Sequence, residues 1–395
     1  MRGFIRLAAP CTAALILSSA TPGPVRFESR PRAVATGTFP QIGVRVTGDV
    51  SLLTVEGGDL WYLTSPDGGD SFPQRVRVNE TPHEVAAHGE NIPILVLRSM
   101  RELYVLWQGR AGGEGSVLRL ARSADWGLTF SKPVPVDARS ESPGFYTMAV
   151  SPQGVVYVAW LESAGLHVAR STNRGQSFEP GIRVASGVCP CCRPSLAFAD
   201  SGTVYVSWRG VSHGDVRDIQ VASSADGAAW SQPAAIAEDN WRLNACPHSG
   251  ASLAVVGSRL FVAWHTVREG TAQVYLAWSD DDGKTFSPRA NLRGAVMDAN
   301  HPRLVAHAGK IGAVFQGRDP NDNVGWGKQN VYYREIAPDG SLSDLVNAGH
   351  LEGSATYPEL LYEEPDHVFV AWHENGDGRS RVVLVRGRTG GNSAN

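Results

Sequence analysis

Polar and apolar positions alternate in short runs along almost the whole chain, and the runs recur as one unit. Residues 145–150 form an apolar stretch, Ser151-Pro-Gln-Gly154 is a turn, and residues 155–160 alternate as VVYVAW. A third run covers residues 166–170, a tight turn covers 171–178, and a fourth strand follows near Ile182-Arg-Val184. Period-two alternation broken by Gly, Pro, Ser and Asn predicts four short antiparallel strands, which is one propeller blade. Prolines mark the recurrence: Pro40, Pro82, Pro143, Pro194, Pro247, Pro302 and Pro358 each precede a first strand. The unit from Pro358 has three strands only, and the segment around Val25-Arg-Phe can supply the fourth. Joining the two ends of the chain in one blade removes the open edges of the ring. The expectation is an all-β propeller of seven four-stranded blades, or six if the Pro40 and Pro358 segments share a blade. Residues 23–395 then form a single domain.

The turn between the third and fourth strands carries its own signature. It reads Ser65-x-Asp67-x-Gly69-x-Ser71-Phe72, Ser123-x-Asp125-x-Gly127-x-Thr129-Phe130, Ser171-x-Asn173-x-Gly175-x-Ser177-Phe178 and Ser279-x-Asp281-x-Gly283-x-Thr285-Phe286, with a shortened copy at Ser224-Ala-Asp226. The carboxylate or amide accepts backbone N–H groups within the turn, and the glycine takes angles other residues resist. This is the Asp-box, and nearly all of the chain after residue 22 resembles the sialidase superfamily of Asp-box propellers. In that family the box is structural and lies on the face opposite the active site.

Composition adds a compartment and removes partners. Net charge is −3, with 36 basic and 39 acidic residues, so nothing suggests a nucleic-acid footprint or a basic membrane-binding face. Arg2 and Arg6, an apolar run from Leu7 to Leu17 and small residues Ser18–Ala20 resemble a secretory leader ending near residue 22. No later segment is long and apolar enough to span a membrane. The expected protein is exported, periplasmic or secreted, and keeps Cys189, Cys191, Cys192 and Cys246. An oxidising compartment permits disulfides.

These cysteines break the regularity of the repeat. They lie in the words Cys189-Pro-Cys191-Cys192-Arg193-Pro and Cys246-Pro-His248-Ser. Thiolates and imidazole suit copper or zinc, and Cys189, Cys191, Cys192, Cys246, His248 and His83 form the candidate metal set. Two other readings stay open. One of the clustered cysteines can pair with Cys246 as a staple between blades, or a strained disulfide can exchange with a neighbouring thiol. Residues flanking the prolines and ending the VYVAW-type strands are expected to ring one channel mouth. They place His265, His301, His373, Arg209, Arg303, Glu162 and Tyr357 as candidate catalytic groups, with Arg193 and Glu359 beside them. Five tryptophans of those strands (Trp107, Trp160, Trp208, Trp264, Trp372) are expected in the core or channel wall.

The sialidase resemblance implies three arginines on a substrate carboxylate, a Tyr–Glu nucleophile pair and an Asp acid/base. Where the family's first arginine word belongs, this chain reads Thr38-Phe39-Pro40-Gln41-Ile42, with Arg45 further along. Tyr357 with Glu359 or Glu162, Arg193, Arg209 and Arg303, and Asp298 are the residues that can imitate the set. Fold carries over more readily than function. The expected activities are metal-dependent conversion of a small molecule, including oxidation, or glycoside hydrolysis of an acidic glycan, against a non-catalytic binding propeller with structural cysteines.

Overall fold

The computed structural model describes residues 23–390, apart from 28–29, 45–47, 100, 111–114, 322–327 and 364–365. Residues 1–22, where a leader is expected, and Arg45 lie outside the described residues. The alternating runs become seven antiparallel sheets in a ring. Blade 1 covers residues 38–77, blade 2 94–135, blade 3 144–186, blade 4 195–235, blade 5 252–291 and blade 6 297–349. Blade 7 consists of Ser354–Glu363, His367–Gly376 and Arg379–Gly390. Gly23–Phe27 and Arg32–Thr36 both pair with the last of these, so two short N-terminal strands share the outer position. The ring is thus closed by its N-terminal end, with seven blades.

Burial explains why the second strand of each blade is the most apolar. Val204–Arg209 is buried at every residue, because a blade's middle strands are covered by the blades on either side. The five repeat tryptophans are each at most 1% exposed. Three of them donate their indole N–H to an acid at the blade edge: Trp160 to Glu162 (3.3 Å), Trp264 to Asp239 (2.7 Å) and Trp372 to Glu374 (3.2 Å). Buried indoles usually find such a partner, although the Nε1 atoms of Trp107 and Trp208 have none among the described residues.

The Asp-boxes close as their chemistry dictates. In blade 2, Asp125 accepts the Thr129 backbone N–H (2.9 Å) and hydroxyl (2.6 Å). These bonds hold its carboxyl below the usual carboxylate range, the Thr129 hydroxyl contributing most. Gly127 sits at φ 82° over the Tyr62 ring of blade 1, where a Cβ would come within 2.1 Å. Up-and-down connectivity puts these turns on one face. The loops between blades and the turns between second and third strands lie on the other, which bears the mouth.

Strand pairing corrects the proline register. Ile42↔Leu52, Leu95↔Val105, Met148↔Val158, Leu196↔Val206, Leu253↔Val262, Leu304↔Ala313 and Leu360↔Val370 are equivalent pairs. Two residues earlier stand Pro40, Pro93, Tyr146, Pro194, Ala251, Pro302 and Pro358. Pro82, Pro143 and Pro247 lie further upstream, in the loops between blades. The position demands a residue that needs no ladder hydrogen bond there, and proline is one solution among several.

Candidate functional site

The true ring position just before these residues is occupied by Phe39, Ile92, Phe145, Arg193, Gly250, His301 and Tyr357. Phe39, Phe145, His301 and Tyr357 adopt left-handed backbone angles, with φ of 46–52°. Non-glycine residues rarely hold this conformation, and it gathers at functional sites. It tips three rings from blades 1, 6 and 7 together: His301 meets Tyr357 at 4.7 Å and Phe39 meets Tyr357 at 5.2 Å, both edge-on. His373 lies behind them, stacked on Tyr357 at 6.1 Å.

His301 and Tyr357 line a narrow axial pocket with room for about one water molecule, while Phe39, Phe145 and the candidate His373 are not part of its lining. Its polar groups are Glu90, Arg193, His301, Arg303, Tyr357 and Glu359. Arg303 grips Glu359 with Nε and Nη2 (3.1 and 2.9 Å), and Gln41 adds a third donor at 2.9 Å. Arg193 is buried, and its Nη1 meets no hydrogen-bond partner among the described residues. Burial and the nearby Arg303 charge pull its guanidinium down to about 10. Burial likewise holds His301 down to about 3, and pushes Tyr357 up to about 12. At neutral pH the imidazole and phenol are therefore uncharged.

Glu90 is the residue that the sequence pattern does not announce. It lies in the long loop between blades 1 and 2, with no repeat mate. One carboxylate oxygen accepts the backbone N–H groups of Arg193 and Gly250, both at 2.8 Å. The other lies 3.9 Å from His301 Nε2. Burial raises its pKa above the ordinary carboxylate value, with the Arg193 charge opposing.

The cysteines form a second cluster one residue away. Cys189, Cys191 and Cys192 are buried in the loop before blade 4. Cys189 Sγ lies 3.5 Å from Cys191 Sγ and 3.6 Å from Cys192 Sγ, well beyond a disulfide bond. Arg217 Nη1 approaches Cys189 Sγ at 3.4 Å. The two neighbouring thiols, which donate to it, and then Arg217 favour the thiolate on Cys189; Cys191 and Cys192 are pushed up. Cys246 and His248, both exposed, come from the loop between blades 4 and 5. The donor atoms of Cys191, Cys246 and His248 lie within 4.8 Å of one another, as do the three buried sulfurs. The S···S distances fit an ion about 2.3 Å from each sulfur.

Several candidates are placed elsewhere. Arg209 is buried and gives its donors to the carbonyls of Arg217 (2.7 Å), Ser249 (2.9 Å) and His265 (2.7 Å). His265 is buried, with Nδ1 on the Ala299 carbonyl at 2.9 Å, and burial pulls it down to about 4. Glu162 holds the 140–142 turn, accepting the N–H groups of Glu141 (2.7 Å) and Ser142 (2.9 Å), and does not line the pocket. Asp298 pairs with Arg318. His83 sits at the seam of blades 1 and 2, with Nδ1 2.6 Å from the Gly57 carbonyl. It is not among the described groups close enough to share an ion with the cysteines.

No protein-family model matches the chain, and no curated protein does. Solved structures do. An ulvan lyase of a polysaccharide lyase family superposes with a TM-score of 0.56 at 10% identity, covering 89% of this chain and 95% of that one. The NanB sialidase of Streptococcus pneumoniae gives 0.50 at 10% identity over 93% and 94%. A protein of unknown function from Dyadobacter fermentans gives 0.52 at 14% identity over 79% and 97%. At such identities the likeness is one of architecture: the chain carries the β-propeller fold of sialidases and ulvan lyases, and sets a cysteine cluster beside its mouth.

Proposed function

We propose that the protein is an exported metalloprotein that holds copper or, failing that, zinc at the cysteine cluster and acts on a small acidic molecule at the channel mouth, over the axial pocket. One observation carries the reading. Three buried thiols and an exposed Cys–His pair, drawn from two loops, form two groups of three donors that share Cys191, each group within 4.8 Å. Sulfur with imidazole is the donor set of soft ions. Bound there, the ion would supply Lewis acidity or electron transfer.

The pocket's own residues supply the rest. Arg193, whose Nη1 meets no partner, is the group on which an anionic ligand would dock. Neutral Tyr357 and His301 offer a donor and a proton acceptor, and Glu90 orients the Arg193 and Gly250 backbone. Displacing Glu359 from Arg303 would free a second guanidinium. The second reading is hydrolysis of an acidic glycan. It is favoured by one arrangement, the meeting of Tyr357, Arg193 and Arg303 with the buried acid Glu90 in a single pocket of this fold.

Elemental analysis and thiol titration of protein recovered from the periplasm decide between them. The expected result is at least about one copper or zinc per chain, lost in Cys192→Ser. A metal-free protein would end the metalloprotein reading, and binding of acidic sugars would then be measured.

A further inference from the structure

The two groups of metal-ligating atoms share one residue. The buried group is Cys189, Cys191 and Cys192, and the exposed group is Cys191, Cys246 and His248. A single ion in the first leaves Cys246 and His248 unused. A single ion in the second leaves Cys189 and Cys192 unused, two buried thiols 3.6 Å apart with Arg217 on Cys189. Two ions joined through the Cys191 sulfur use all five donors. In a planar three-sulfur site an ion at about 2.3 Å sets the sulfurs about 4 Å apart, close to the spacing found here.

Charge bears on the number of ions, and softness selects the ion. Metal-bound thiols are deprotonated, so four cysteines bring four negative charges. Arg217 touches Cys189, and Arg209 lies beside Cys192, bringing two positive charges. Asp215, 3.7 Å from Arg217, is half exposed and screened by solvent. Two monovalent ions balance these six groups, and two divalent ions balance them together with ionised Asp218 and Glu90, whose carboxyls both feel Arg209. Burying uncompensated charge is costly. Thiolates favour copper(I) by softness.

We propose that the cluster binds two copper(I) ions bridged by Cys191, an inner ion held by Cys189 and Cys192 and an outer ion held by Cys246 and His248. The outer ion is the exchangeable one, because its two unshared ligands are exposed on the mouth face while the inner sulfurs are closed off. Ser249, next to His248, accepts the His301 backbone N–H at 3.3 Å, so the loop that would hold the outer ion adjoins the wall of the axial pocket. This proposal rests on the metalloprotein reading and refines it.

The test is an anaerobic titration of the whole protein with copper(I), buffered by a chromophoric copper(I) chelator. Metal is counted after desalting, and X-ray absorption is recorded on the same samples. The comparison protein is the Cys246→Ser/His248→Ala double variant, whose changes are exposed and whose fold is checked by its thermal melt. The expected result is two copper ions per chain with a short copper–copper distance in the parent. The variant should keep one ion and lose that distance. One ion per chain in both proteins, or one in the parent and none in the variant, overturns the two-ion assignment while leaving a metalloprotein. No retained copper but one zinc does the same. No retained metal of either kind overturns both.

Discussion

A guanidinium enclosed at the seam of blades 4 and 5 must find acceptors there, and Arg209 finds three backbone carbonyls. The sequence places Arg209 at a strand end beside Arg193 and Arg303, and from that position all three read as anion ligands. Which way each side chain turns depends on what the neighbouring blade offers. Arg209 turns inward and ties the Arg217, Ser249 and His265 carbonyls together, with Trp241 beneath it at 5.2 Å. Arg303 turns to Glu359, and Arg193 Nη1 has no hydrogen-bond partner among the described residues. Arg209→Met should therefore destabilise the fold by at least about 3 kcal/mol, since each orphaned buried acceptor costs about 1–3 kcal/mol. The check is the urea midpoint at unchanged slope. A loss under about 1 kcal/mol, coupled to weaker ligand binding, would reassign Arg209 to the pocket. Glu90 teaches the same lesson from the other side: a loop acid outside the repeat sends no periodic signal, and its role appears only when two loops fold over it.

At the scale of elements, what was legible in the chain is what is set locally. The Asp-boxes are readable because residues two to four positions apart satisfy one another, as Asp125 and Thr129 do. The strands are readable because burial on both faces demands apolar runs such as Val204–Arg209. The proline register is readable in blades 1, 4, 6 and 7 and misleading in blades 2, 3 and 5, because Pro93 replaces Pro82 and Tyr146 and Ala251 do the same task without a ring. The Cys189–Cys192 grouping is plain from adjacency, whereas separating His83 from it required the ring to be assembled. The closing strands give the prediction at this scale. Gly23–Phe27 and Arg32–Thr36 cover the free edge of Arg379–Gly390 and bury Val25. Deleting residues 23–36 exposes a twelve-residue strand edge, an association hazard. We expect a melting temperature lower by roughly 10 °C or more and concentration-dependent association, measured by thermal melts and light scattering. A monomer with the parent's melting temperature would mean that the ring holds without its latch.

Across the whole molecule, the buried histidines make stability depend on pH. His265 and His301 sit near about 4 and about 3 in the fold, against 6.5 when exposed. The unfolded chain therefore binds more protons below pH 6.5, and stability falls as the solution is acidified through that window until the folded values are reached. At pH 5 the cost relative to pH 7.5 is about 2 kcal/mol per histidine, about 4 kcal/mol for the pair. His167 and His373, lowered by burial, act in the same direction. Glu90 acts oppositely: its raised value gives stability that is present at low pH and lost as pH rises through it. The expected observation is a urea midpoint that drops between pH 7.5 and pH 5, with a shallower drop in His301→Gln. A flat profile would place both imidazoles in contact with water.

The latch also has a consequence in time. The strand Arg32–Thr36 waits for Arg381–Leu384, almost the full length of the chain later, before it has a partner. Until then every finished blade stands in an open arc with two sticky ends, and no mouth exists around which the loops can gather. Cys189–Cys192 and Cys246 are made and unshielded well before that moment. Whatever meets those sulfurs early, an oxidant or an ion, acts on a half-built ring, so the order of closure and capture decides what the finished protein contains.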